Sequence, residues 1–476
     1  KCTDMEQKII GREKERHLIQ QCVSSNKPEF VAIYGRRRIG KTFLVRQYFS
    51  DKFDFYATGI YQGSMKDQLR NFGEQLMMKS KRFITIPKDW HEAFMMLREY
   101  LCGLKKKKII IFLDELPWFD TARSKFVQEL DYFWNSWGAQ QDKLKFFVCG
   151  SAATWMIKNL IGAKGGLHNR LTHNIRLQPF TLHETEQMLI QKHINWERYT
   201  ILECYAIFGG VPYYLNMFDS EESLTQNVDR LLFSQTGELR DEYNFVFRSL
   251  FEEYTIYRKI VELLSKKKKG LTREELQQGL KISSGGNFTD ALNNLQNCDF
   301  IRKYHCFGKK QRDALYQLTD SFTYFYLSFV SDFAGQDEFT WSNMIDNPKR
   351  TAWMGYAFEQ VCLLHLPQIK HALGISGILT DASAWVGSDG EEKGQIDLVI
   401  DRRDRTINLC EMKYSMEPYE ITKAYHEKLR SRMSLFKKVT GTTKSIVNTM
   451  VTTYGVKRTK YCDVVSRVVT MDDLFQ

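Results

Sequence analysis

Short apolar runs alternate with amphipathic stretches along the first 180 residues. The runs at 29–35, 53–60, 109–113 and 145–150 are rich in aromatic and β-branched residues and predict strands. Between them, 64–80 and 122–137 repeat apolar positions at helical spacing. Strands alternating with helices imply an α/β domain, a parallel sheet covered on both faces. From Thr181 to about Asp241 the pattern is helical, broken by Gly209-Gly210-Val211-Pro212. A helix over 256–265, a second from Thr272, a third from Asn287 and strands at 300–306 and 314–318 then predict a winged helix. Residues 335–349 read as a linker. Beyond it, a helix over 354–365, three strands and a basic helix predict a further α/β domain. The expected divisions are 1–180, 181–245, 246–334 and 335–476.

Composition changes this picture little. At roughly 150 residues per domain, 476 residues suggest about three domains, and 43% hydrophobic content supplies their cores. Lys and Arg outnumber Asp and Glu by 68 to 57, a net charge of +11. That excess suits a polyanion such as nucleic acid, and it equally serves solubility. No stretch of ~18 apolar residues offers a membrane span, and the first residues lack an apolar signal core. The ten cysteines form no CxxC pair and are expected to be reduced thiols, which points to the cytoplasm. The lysine runs at 105–108 and 266–269 read as solvated turns.

Candidate chemistry is densest near the N-terminus. Gly35-Arg36-Arg37-Arg38-Ile39-Gly40-Lys41-Thr42 fits GxxxxGK[ST] between a predicted strand and a predicted helix. Glycines let backbone N–H groups curl around phosphates, and the helix N-terminus adds its positive end. Lys41 is expected to reach the β- and γ-phosphates of ATP, and the Thr42 hydroxyl to bind Mg2+. The run 109–113 ends in Asp114-Glu115, at the sheet edge where α/β folds bind ligands. Asp114 is expected to hold the metal through water and Glu115 to polarise the attacking water. Ser151 is either a γ-phosphate sensor or a helix cap. Arg170 is either an arginine finger or a structural arginine.

Ile10-Gly11-Arg12-Glu13, the P-loop and Leu113-Asp114-Glu115 resemble the archaeal-type P-loop ATPases, an AAA+-like family of the signal-transduction ATPase group. Cys149-Gly150-Ser151, Gln178-Pro179-Phe180 and Gly209-Gly210-Val211-Pro212-Tyr213-Tyr214-Leu215 match its pattern too, over roughly residues 8 to 220. The resemblance implies a P-loop core, a helical lid, a winged helix and, in many members, a C-terminal nuclease-like domain. One departure is Asn169, where relatives carry Gly before the arginine.

In the last predicted domain, Asp397 lies on one strand, and Glu411 and Lys413 lie on one face of the next, fourteen residues on. Two carboxylates suit Mg2+ or Mn2+, and a lysine beside them can orient a water at a phosphodiester. The pattern resembles the PD-(D/E)xK nuclease superfamily, with Glu359 matching its first-helix glutamate and the motif proline absent. A degenerate fold kept for binding is the alternative. The basic helix that follows carries Lys423, Lys428, Arg430, Arg432, Lys437 and Lys438, able to grip phosphates or simply to face solvent. The third helix of the winged segment, 287–297, has no Lys or Arg. Backbone contact through its basic wing (Arg302, Lys303, Lys309, Lys310, Arg312) or a packing role is expected rather than base reading.

The expected function is an ATPase whose nucleotide state gates a metal-dependent, nuclease-like, nucleic-acid-binding domain, with homo-oligomers allowed. The alternative is an ATP-switched interaction protein with a degenerate nuclease fold. A translocating motor has little support, because no helicase motif is present.

Overall fold

A computed structural model of the chain describes residues 8–162, 170–251, 253–282, 285–309, 313–333 and 339–476. Two compact units divide at Gln178 and Pro179.

The first unit is built on five strands: β1 (Glu29–Tyr34), β2 (Phe55–Thr58), β3 (Ile109–Asp114), β4 (Leu144–Gly150) and β5 (His173–Arg176). They lie in the order β2-β3-β4-β1-β5, and every pairing is parallel. All residues of β1 and β4 are buried, as central strands covered on both faces must be. Phe30 stacks on Phe146 with centroids 4.9 Å apart, while Phe49 and Phe53 pack on the other strands' aromatic rings. The predicted strands are all present. β5, His-Asn-Ile-Arg, was not foreseen, because only Ile175 of its residues is buried.

The second unit opens with helices Leu182–Gln191 and Arg198–Phe208. The first starts at a capping box made by Thr181 and Glu184. The second ends where Gly209 and Gly210 both take positive φ, 69° and 63°. Phe180 N–H donates to the Gly210 carbonyl at 2.8 Å, and a Cβ at Gly210 would meet the Phe180 oxygen at 2.3 Å. The Pro179-Phe180 and Gly-Gly-Val-Pro motifs are therefore two halves of one close backbone contact.

Helices Tyr254–Ser265, Arg273–Leu280 and Gly286–Asn297 follow, with β6 (Leu271–Thr272), β7 (Ile301–Tyr304) and β8 (Leu315–Leu318) in the order β6-β8-β7. Within the segment expected to be a linker, 335–349, one residue is firmly anchored. Trp341 is fully buried against Phe325, Phe329 and Trp353, and the Asp229 carboxylate accepts from the backbone N–H of Trp341 and Ser342. Only 334–338 lie outside the described residues there.

The last sheet has five strands rather than three: β9 (Thr380–Ser388), β10 (Lys393–Arg402), β11 (Thr406–Lys413), β12 (Ser445–Thr452) and β13 (Arg467–Thr470), in the order β13-β12-β11-β10-β9. β9, β10 and β11 pair antiparallel. The helix Lys423–Thr440 then crosses over so that β12 runs parallel to β11. The helix Pro348–Leu364 packs against β11. Among the described residues no helix is long and apolar enough to cross a membrane.

Candidate functional sites

The P-loop joins β1 to the helix Lys41–Tyr48. Gly35 has φ 144°, and a Cβ there would meet the Leu177 carbonyl oxygen at 2.2 Å, so no other residue fits. Gly40, φ 86°, starts the helix. Lys41 Nζ donates to the carbonyls of Gly35 and Arg36 at 3.0 and 2.8 Å. The ammonium thus folds over the loop at the point where a phosphate would compete for it.

β4 separates β1 from β3, and this spacing brings two further pairs together. Thr42 Oγ1 donates to Asp114 Oδ1 at 2.9 Å. Glu115 Oε2 accepts from both the backbone N–H and the hydroxyl of Ser151, at 2.9 and 2.8 Å. Glu115 itself holds a left-handed conformation, φ 47°. Burial raises the Asp114 carboxyl above its usual range, and the Glu115 charge adds to this, against donation from Cys149 and Thr42. A hydroxyl and a carboxylate this close are the hard oxygen pair that Mg2+ takes.

The expected finger, Arg170, is not brought to this site. Thr172, two residues on, bonds Phe30 near the start of β1, the opposite end of that strand from Gly35. Arg170 is exposed there, and Leu167, His168 and Asn169 lie outside the described residues. Arg12 is a contributor that the sequence did not single out. It is buried, and its guanidinium donates to the Ile39 carbonyl at 3.4 Å, bracing the P-loop from beneath. Its place in Ile10-Gly11-Arg12-Glu13, shared with the resembled family, was the available signal.

In the second unit, β10 and β11 pair with Leu398 opposite Cys410, so that Asp397 falls next to Glu411. β10 carries one extra residue against β9 between Ile396 and Val399, a bulge centred on Asp397 and Leu398. Bulges re-aim a side chain, here a carboxylate at the rim of a cleft of about 810 Å³. Glu359, Asp397 and Glu411 all line that cleft. Lys413 Nζ sits 2.8 Å from Glu411 Oε1, which also accepts from the Tyr425 hydroxyl at 2.7 Å, while Arg432 pairs with Oε2.

Burial and the neighbouring Asp397 push the Glu359 carboxyl up to about 7. Asp397 is raised by burial and by Glu411. Burial also acts on Glu411, but Lys413 and Arg432 outweigh it and hold its carboxyl below the usual range. Glu411 is buried and Glu359 and Asp397 are half-buried, and the three carboxylates act on one another's charge. Tyr425 and Arg432 were not read as partners of Glu411. They lie seven residues apart on one helix face, a spacing that could have paired them.

Residues 9–218 match the model of an ATPase domain found predominantly in Archaea. The N-terminal segment of this chain is therefore similar to a P-loop ATPase domain. An uncharacterized protein of Methanocaldococcus jannaschii is 25% identical over 436 residues, 89% of this chain and 91% of the relative. Among solved structures, a Walker-type ATPase of Pyrococcus abyssi aligns with TM-score 0.50 at 16% identity, covering 67% of this chain and 96% of its own. The Aeropyrum pernix ORC2 protein aligns with TM-score 0.44 at 13% identity, covering 73% and 96%. The Pyrococcus likeness bears on the fold of the ATPase domain.

The basic surfaces expected in the second unit are only partly available. In the helix Lys423–Thr440, Arg432 is held by Glu411, Lys438 by Asp389 at 2.7 Å and Lys423 by Glu427 at 4.0 Å. Of the wing residues, Arg302 is turned inward, bonding Gln317 and Gln360, and Lys310 and Arg312 lie outside the described residues.

Proposed function

We propose that the ATP state of the P-loop domain gates a metal-dependent, nuclease-like C-terminal domain acting on nucleic acid. One observation carries this reading: Glu359, Asp397 and Glu411 line one cleft, with Lys413 paired to Glu411, on a chain whose N-terminal segment matches an ATPase domain. In the first unit, Lys41 leaves the Gly35 and Arg36 carbonyls for the β- and γ-phosphates of ATP. Thr42 and Asp114 hold Mg2+, and Glu115, once released by Ser151, orients the attacking water. In the second unit, Asp397 and Glu411 hold Mg2+ or Mn2+. The bound cation supplies charge stabilisation and a more acidic water at the phosphodiester. Lys413, fixed by Glu411, orients that water, and Glu359 lines the cleft beside them. The segment 246–334 is a winged helix on this reading, and 335–476 a PD-(D/E)xK-like domain.

One feature favours a second reading. Both oxygens of Glu411 already have partners in Lys413, Tyr425 and Arg432, and a metal must share or displace them. If it does not, the domain is a degenerate nuclease fold in an ATP-switched interaction protein. The test is cleavage of plasmid and single-stranded DNA with Mg2+ or Mn2+, comparing wild type with Asp397→Ala and Lys413→Ala. The proposal expects wild-type cutting that both variants lose. No cutting by protein that still hydrolyses ATP would leave the second reading.

A further inference from the structure

The lysine run 266–269, which the sequence suggests is only a solvated turn, lies at the carboxylate cleft. Lys268 and Lys269 line it, as do Lys428 and Arg432 of the helix Lys423–Thr440. Lys268 is close enough to Glu359 for its charge to act on that carboxyl. Its Nζ stands 5.4 Å from the centre of the Tyr356 ring, on the helix that carries Glu359. Both lysines are exposed, and among the described residues neither forms a salt bridge.

A solvated turn would be held only by its own ends. This one is clamped by three side chains. Gln317 and Tyr356 donate to the Lys268 carbonyl at 2.7 and 3.0 Å, and the Tyr304 hydroxyl donates to the Lys269 carbonyl at 2.6 Å. Gly270 closes the turn with φ 81°, where a Cβ would meet the Tyr316 carbonyl oxygen at 2.6 Å. The backbone is thus fixed while the two ammonium groups stay free at the rim.

Cations from two separate elements around one acidic centre fit a chain of phosphates better than one small anion, which a single cation would satisfy. We propose that Lys268 and Lys269 grip the phosphodiester backbone of a nucleic acid strand next to the carboxylate site, together with Lys428. This deepens the nuclease-like reading and rests on it. Ion pairing with phosphates carries no base preference, so the grip positions the strand without selecting a sequence.

The test is fluorescence anisotropy with the full-length protein, calcium in place of magnesium, and labelled single-stranded and duplex DNA over a salt series. Lys268→Ala/Lys269→Ala is compared with Lys266→Ala/Lys267→Ala, which alters the same run outside the cleft. ATP hydrolysis at the wild-type rate shows that each variant is folded. Each phosphate contact contributes about 0.7 to the salt slope on single strands, so losing two lowers it by roughly 1.4. We expect that drop, with about tenfold weaker binding, for the 268/269 pair only, and its reversal in Lys268→Arg/Lys269→Arg. Equal behaviour of the two pairs overturns the inference and leaves the nuclease-like reading standing. Wild-type protein without salt-sensitive binding to either DNA overturns both.

Discussion

On the proposed reading Lys41 and Glu115 divide the ATPase chemistry between them, so their variants should fail differently. Lys41→Ala removes the only P-loop ammonium now folded onto the Gly35 and Arg36 carbonyls, so nucleotide affinity should fall at least about tenfold in a binding titration. Glu115→Gln keeps the hydrogen-bonding shape at Ser151 but loses the base; ATP should still bind, with hydrolysis slowed roughly a hundredfold or more. Unchanged turnover in that variant would remove Glu115 from the water-orienting role. His365 makes a separate prediction about pH. It is buried, its Nε2 accepts from Leu182 N–H at 2.9 Å, and its Nδ1–H donates to the Val361 carbonyl at 2.8 Å. Burial draws its pKa down from 6.5 to about 4, so between those values the unfolded chain binds more protons than the folded one. The stability it contributes is present above about 6.5 and fades as pH falls toward 4. Denaturation midpoints measured across this window should drop with acidity in wild type and drop less in His365→Gln.

Among the elements, the helices Pro348–Leu364 and Arg198–Phe208 are joined by a buried ion pair between Arg350 and Glu203, with the Arg350 guanidinium 4.2 Å from the Trp341 ring centre. Arg350→Ala would strand the Glu203 charge, and a loss of about 3–5 kcal/mol is expected in chemical denaturation. A change within 1 kcal/mol would show that solvent reaches the pair. Most elements were legible because their apolar periodicity was strong: the P-loop strand, β3 with its terminal acids, and the three helices with a hairpin. β5 escaped because half-exposed polar residues fill it, and it is a strand only through pairing with β1. The anchor within the expected linker escaped for the opposite reason, since Trp341 and Arg350 among polar neighbours mark burial that local pattern does not reveal. The bulge at Asp397 is likewise set by register with β9 and has no local signal.

In the chain as a whole, both chemical sites were named from motif spacing, while their partners were not. Asp397, Glu411 and Lys413 could be read because a hairpin brings short spacings together. Lys268 and Arg432 reach the same cleft, and Tyr425 its Glu411, through tertiary folding across as many as 143 residues (411 − 268). Arg170 shows the converse, a motif-like arginine that the strand order carries to the end of β1 away from the P-loop. The central claim is that one chain couples an ATP cycle to its carboxylate cleft. It is tested most directly by DNA cleavage rates with and without ATP in wild type, Lys41→Ala and Glu115→Gln. The account predicts a wild-type rate that changes about tenfold with ATP, Glu115→Gln fixed at the ATP-bound level, and Lys41→Ala indifferent to nucleotide. Equal rates in all three proteins, with and without ATP, would contradict it.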